Sequence, residues 1–175
     1  MKKIATYIIG ILVAGSTFAH AQDCNPNPPD DLKPLEAYSL FSSNFRNKDY
    51  DFALKYGRWM MCSKPKTIEN YPKFDLSKQY ERFIRIYEEL GNASADPEIK
   101  AAYYDTVLTL YEDSFTLFTD QEIDKFELRF DRGRFYQQNT DFIEDAVSKA
   151  ITDYEALFEA DPKRTTELGE GYYVQ

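Results

Sequence analysis

The stretch NKDYDFALKYGRWMMCSKP, residues 47–65, decides how the rest of the chain is read. It opens on a polar turn, Asn47-Lys48-Asp49. It then sets Phe52, Ala53, Tyr56, Trp59 and Met60 at positions i, i+1, i+4, i+7 and i+8. That spacing gathers apolar side chains on one face of an α-helix, whereas a half-buried strand would alternate. Pro65 cannot continue the helix, because it has no backbone N–H to offer.

The same period runs outward in both directions. Before the turn, Leu35, Tyr38, Phe41 and Phe45 recur at three- and four-residue steps behind Pro34, a residue suited to a first helical position. Residues 68–74, which include Pro72, read as a loop. Asp75 or Ser77 caps a third helix with the stripe Leu76, Tyr80, Phe83, Ile84, Tyr87 and Leu90, and Gly91 stands where a left-handed C-terminal residue is wanted. Asp96-Pro97 opens a fourth helix to about Phe118, whose apolar residues cover more than one face and predict packing on two sides. Thr119 and Glu122 have the spacing of a capping box for a fifth helix with Ile123, Phe126 and Phe130. Asn139-Thr140-Asp141 breaks it, and Asp141 with Glu144 reads as the next cap. The sixth helix carries Ile143, Ala146, Val147, Ala150, Ile151, Tyr154, Leu157 and Phe158, and Asp161-Pro162 ends it. The expected fold is all-α: three helix hairpins at about 34–64, 75–118 and 120–160, stacked within 34–162 and preceded by a Pro-rich linker at 22–33.

The ends set the address. Lys2 and Lys3, the apolar run Ile4–Val13 and Ala19-His20-Ala21 form a signal peptide at 1–21, with cleavage near Ala21. The apolar run is too short to span a bilayer, which takes about 20 residues. Gln22-Asp23 before Cys24 offers no small residue for lipid attachment. The chain is therefore read as exported, to the periplasm or the extracellular space, with no stable membrane insertion after cleavage. Losing Lys2 and Lys3 moves the formal charge from −9 to −11, which disfavours nucleic acid and anionic lipid as partners. His20, the single histidine, leaves with the leader, and histidine-dependent hydrolysis and most zinc chemistry leave with it. Cys24 and Cys62 remain as an even pair in an oxidising compartment, so they read as a structural disulfide. Closing the loop between them is worth about 4 kcal/mol on the chain-entropy model.

Asp49-Tyr50, Ala53, Tyr56 and Pro65 resemble the second half of a tetratricopeptide repeat. Ala150, Tyr154 and Asp161-Pro162 repeat that second-helix pattern in the third hairpin. Leu168-Gly169-Glu170-Gly171-Tyr172-Tyr173 looks like the first helix of a further unit, so residues 163–175 are either the start of another repeat or a C-terminal cap. Departures from the pattern are Ala37 at a usual aromatic position, Phe41 at a usual small position and Met60 at another small position. The resemblance implies a short α-solenoid whose first helices line a surface for partner peptides, which in the first hairpin assigns Tyr38, Ser42, Phe45 and Arg46. Tyr38 and Phe45 are equally readable as core.

Candidate chemistry is sparse. Glu88-Glu89 and Glu112-Asp113 are sequence neighbours, about 100° apart on a helix, and do not oppose one another across a cleft as glycoside hydrolysis requires. Asp120, Glu122 and Asp124 alternate like calcium-loop ligands but lack the glycine and distal glutamate of that motif. Asp131-Arg132-Gly133-Arg134 reads as an exposed helix face or, alternatively, as a ligand-carboxylate site. No catalytic residue, metal ligand or cofactor site is assigned. The expected function is a non-enzymatic exported scaffold for a protein or peptide partner in the cell envelope or outside the cell. The alternative is a small-ligand or glycan module that uses exposed tyrosines, and a third reading, an enzyme, stands mainly if a catalytic domain lies beyond Gln175.

Overall fold

The computed structural model describes the backbone of residues 24–173 and the side chains of residues 24–170. The signal-peptide reading at 1–21 lies outside the described residues. Among the described residues, a short 3-10 turn, Pro29–Asp31, precedes seven α-helices: α1 (Pro34–Arg46), α2 (Tyr50–Ser63), α3 (Leu76–Ala93), α4 (Pro97–Leu117), α5 (Lys125–Gln138), α6 (Ala146–Ala160) and α7 (Pro162–Tyr173). Among the described residues there is no strand, only one isolated bridge between Ile68 and Tyr71. The strongest packing is within α1–α2, α3–α4 and α5–α6, so the molecule is a row of helix hairpins, with α7 laid on α6.

Local chemistry sets the helix ends. Pro34 opens α1, and the Lys33 N–H donates to Glu36 at 2.9 Å. The α2 helix stops one residue before Pro65, at Lys64, which adopts a left-handed conformation (φ 46°) and donates its N–H to the Met60 carbonyl. Asp75 caps α3 by accepting from the Ser77 and Lys78 amides, and Asp96 does the same for α4 through Glu98 and Ile99. Each such cap is worth about 1 kcal/mol, because it satisfies an amide that no helical carbonyl reaches.

Two expected caps are displaced. Thr119 and Glu122 do bond, the Glu122 carboxylate accepting both the Thr119 N–H and O–H at 2.9 Å. They close a single turn before the helix, however, and the residue that caps α5 is Asp124, through Phe126 and Glu127. The α6 helix begins at Ala146 after a left-handed Asp145 (φ 55°), not at Asp141 with Glu144. Ile143 thus precedes the helix and packs from the turn.

Glycines mark the helix crossings. A Cβ on Gly57 would lie 2.4 Å from the Phe41 ring and 2.9 Å from Phe83, so α2 approaches α1 and α3 closely there. Gly91 is not a left-handed cap. It lies inside α3, and a Cβ on it would meet the Tyr104 ring of α4 at 2.5 Å. Gly133 of α5 is packed in the same manner on Tyr154 of α6.

The core is aromatic and continuous from Phe41 through Phe83, Tyr80 and Phe118 to Tyr104 and Phe135. The Phe41–Phe83 rings lie 5.0 Å apart, Tyr80–Phe118 5.3 Å and Tyr104–Phe135 5.2 Å, the last two edge to face. The α4 helix packs against both α3 and α5, as its two-faced pattern predicts. The expected stripes on α2 and α6 are only partly buried. Phe52 is 53% exposed, whereas Ala53, Trp59 and Met60 of the expected stripe pack inward together with Leu54 and Gly57. On α6, Ala146, Ala150, Asp153 and Leu157 turn inward, while Val147, Ile151 and Phe158 are 59%, 50% and 57% exposed. The Cys24–Cys62 bridge is present with Cα atoms 5.4 Å apart, and Lys55 pairs with Asp30 at 2.7 Å; together they hold the N-terminal segment on α2.

Candidate functional site

The four residues assigned to partner binding lie on α1, and the structure separates them. Tyr38 is only 8% exposed; its ring lies 5.2 Å from Tyr71 and 5.4 Å from Phe74. Hydrogen bonding to Tyr38 is the main cause that raises the Tyr71 phenol above its usual range. Tyr38 is therefore a core residue, covered by the 68–74 loop, whose Ile68 and Phe74 are themselves buried. Sequence alone marks that segment as a loop but not as a cover for α1.

Ser42 and Phe45 meet at a residue that the sequence reading passed over. Arg82 of α3 donates from Nη1 to Ser42 Oγ at 3.1 Å and to Gln79 Oε1 at 3.0 Å, and its guanidinium lies 5.3 Å from the Phe45 ring centre. Arg46 is exposed at the end of the same helix. The available signal was the polar edge of the α3 stripe, where Gln79 and Arg82 are three residues apart.

The patch continues toward α5 as a band of charge. Burial, with Asp75 and Glu127 nearby, pushes the Glu81 carboxyl up. Burial and the neighbouring Glu89 push Glu88 up against the pull of Arg134, and burial pushes Asp131 up as well. The Arg82–Ser42 bond joins α1 to α3, and the pull of Arg134 on Glu88 brings charge from α5 to bear on α3.

The Asp131-Arg132-Gly133-Arg134 run is not simply an exposed face. Arg132 donates from Nε to Asp153 Oδ2 at 2.8 Å and from Nη2 to Oδ1 at 2.6 Å, and it also bonds Glu112. The Arg132 side chain is 13% exposed and that of Asp153 4%. Burial opposes the charge on Arg132, but its bonds to Asp153 outweigh that and raise its pKa. Its guanidinium, stacked 4.7 Å from the Phe115 ring centre, is occupied by internal carboxylates and ties α4, α5 and α6 together. Arg134 bonds Asp131 at 3.3 Å.

A cleft of about 640 Å³ opens where the 119–124 turn, the start of α5, the end of α6 and the start of α7 converge. Phe115, Phe126 and Leu157 give it apolar walls, and Arg129 and Arg164 stand in its lining. The Asp120, Glu122 and Asp124 carboxylates also line it, each with a partner: Lys125 at 3.8 Å, Thr119, and Arg164 together with the α5 amides. The bonds from Thr119 hold Glu122 below the usual carboxylate range; Asp124 is also held low, burial being outweighed by its hydrogen bonds to the Glu127 amide and Arg164. Among the described residues, no three His, Cys, Asp or Glu side chains are placed to hold a metal ion, and no helix is long and apolar enough to cross a membrane. Glu112 and Asp113 are turned to different partners, Arg132 and Lys64. No protein-family model, no curated protein and no solved structure matches this chain, so its architecture and surface chemistry carry the functional argument.

Proposed function

We propose that the protein is an exported, tetratricopeptide-like scaffold without catalysis of its own, binding a protein or peptide segment along the face shared by α1, α3 and α5. The observation that carries this reading is the Arg82 junction. It joins Ser42 and Phe45 of the first hairpin to the second, leaving an aromatic and charged patch half-exposed between rigid helices. Preformed helix pairs lose little conformational entropy on binding, which favours recognition by a fixed surface. The burial of Ala53 and Ala150 at hairpin interfaces, where the repeat pattern wants small residues, supports the family reading. Export, to the periplasm or beyond the cell, is supported by the leader-like residues 1–21 and by the Cys24–Cys62 bridge.

The test is capture from envelope extract on immobilised protein, comparing wild type with an Arg46→Glu, Arg82→Glu variant whose melting temperature matches. A retained protein that is lost with the variant supports the scaffold. Equal retention by both, or elution by soluble sugar, sinks it, the latter in favour of a glycan reader.

A further inference from the structure

We propose that the cleft between α5, α6 and α7 is a second site, which binds a small amphipathic monocarboxylate, an alkyl chain ending in a carboxylate. It lies apart from the α1–α3 patch and does not depend on that patch being a peptide surface.

Three observations converge on this ligand. The cleft, about 640 Å³, lies within the roughly 300–1,000 Å³ typical of small-molecule sites. Phe115, Phe126 and Ala160 offer apolar surface for a hydrocarbon body, with the buried Leu157 behind them. Arg129 supplies the charge. Arg132 takes both oxygens of Asp153, which leaves the Arg129 guanidinium 3.9 Å from that carboxylate and, among the described residues, donating no hydrogen bond. Its nearest other partner is the Phe115 ring, 5.7 Å away. An arginine with free donors beside an apolar wall suits a planar carboxylate, which can accept two parallel N–H bonds.

The other charges in the lining do not compete for the same role. Arg164 is bonded to Asp124 and stacked 4.5 Å from the Phe126 ring centre, and Lys125 is paired with Asp120. The first turns of α5 and α7 bring positive dipole ends and the last turns of α4 and α6 negative ones, so the helix dipoles offset one another and the ligand's charge is set by Arg129. The partnered Asp120, Glu122 and Asp124 at the rim disfavour a ligand with more than one negative charge.

Decanoate, titrated at neutral pH below its micelle range and followed by calorimetry, is the probe. Saturable one-to-one binding to the wild type is expected. Arg129→Gln should weaken it by about tenfold or more, as should replacing decanoate with decanol, because each removes one side of a charge-assisted contact. Ala160→Phe, an exposed lining position where a larger side chain takes up cleft volume and Arg129 is retained, should abolish binding while the protein melts as wild type. The proposal is overturned by no binding to wild type, by equal binding to the variants, or by equal binding of decanol. It is also overturned if a peptide with an apolar C-terminal residue displaces decanoate at lower concentration, since the occupant would then be a chain end. None of these outcomes bears on the Arg46 and Arg82 capture result.

Discussion

At the scale of single residues, close approach decides more than propensity does. Gly57 costs its helix about 1 kcal/mol against alanine by intrinsic preference. Yet alanine there would drive a Cβ into Phe41 and Phe83, both fully buried. Gly57→Ala should therefore lose about 1–3 kcal/mol in urea denaturation, and a neutral result would show that the rings yield freely. Ala53 was legible as a crossing residue, but Gly57 was not, because the apolar stripe carries no mark at a glycine. Gly91 misled for a related reason: the same residue serves left-handed caps and tight crossings, and only the position of Tyr104 tells them apart. Glu88 supplies a pH-dependent counterpart. Its folded pKa is raised, mainly by burial and then by Glu89, so its destabilising charge is present above that pKa and absent below the unfolded value near 4.5. Glu88→Gln should melt higher than wild type at pH 7, and the difference should vanish below about pH 4. An advantage that persists at low pH would contradict this sign.

At the scale of elements, the hairpins are held by a mixture of aromatic packing and one buried ion pair. Arg132, Asp153 and Glu112 come from three helices and are joined in one network. Removing the arginine leaves an almost wholly buried carboxylate with only Arg129, 3.9 Å away, to offset its charge, so Arg132→Met should cost about 3 kcal/mol. Adding Asp153→Leu should recover a large part of that loss, because two apolar side chains of similar volume need no desolvation. Failure of the second change to recover stability would mean that the pair contributes more than mutual neutralisation. Sequence periodicity placed α5 and α6 but could not reveal this pair, since an arginine in a charged run and an aspartate in an apolar stripe look unremarkable apart. The α6 stripe shows the converse. Val147, Ile151 and Phe158 have the period of a buried face, but α5 and α7 cover only the neighbouring arc of the helix.

At the scale of the whole molecule, the row of hairpins begins with a segment fastened by Cys24–Cys62. The bridge closes a separation of 38 residues and ties the chain before α1 to the end of α2. The chain-entropy model assigns such a loop about 4 kcal/mol. The Cys24→Ser, Cys62→Ser protein should lose stability of that order, and a reductant should lower the melting temperature of the wild type only. A variant as stable as the oxidised wild type would show that packing of Leu32 and Leu35, together with Lys55–Asp30, already fastens the segment.

The amino-acid order by itself determined the helical period, the three pairs and most of their ends, because Pro34, Asp96-Pro97, Pro65 and Asp161-Pro162 act on the backbone within a few residues of themselves. It also determined the disulfide partners, since two cysteines allow one pairing. Tertiary structure alone decided which of two apolar arcs on a helix is covered, that Tyr38 lies under the 68–74 loop, and that Arg82 reaches Ser42 across 40 residues of chain. It likewise decided that Arg132 is consumed by Asp153 while Arg129 is left facing a cleft. The physical reason is the same in each case: a helical period reports that a face exists, whereas burial and pairing depend on neighbours contributed by distant segments.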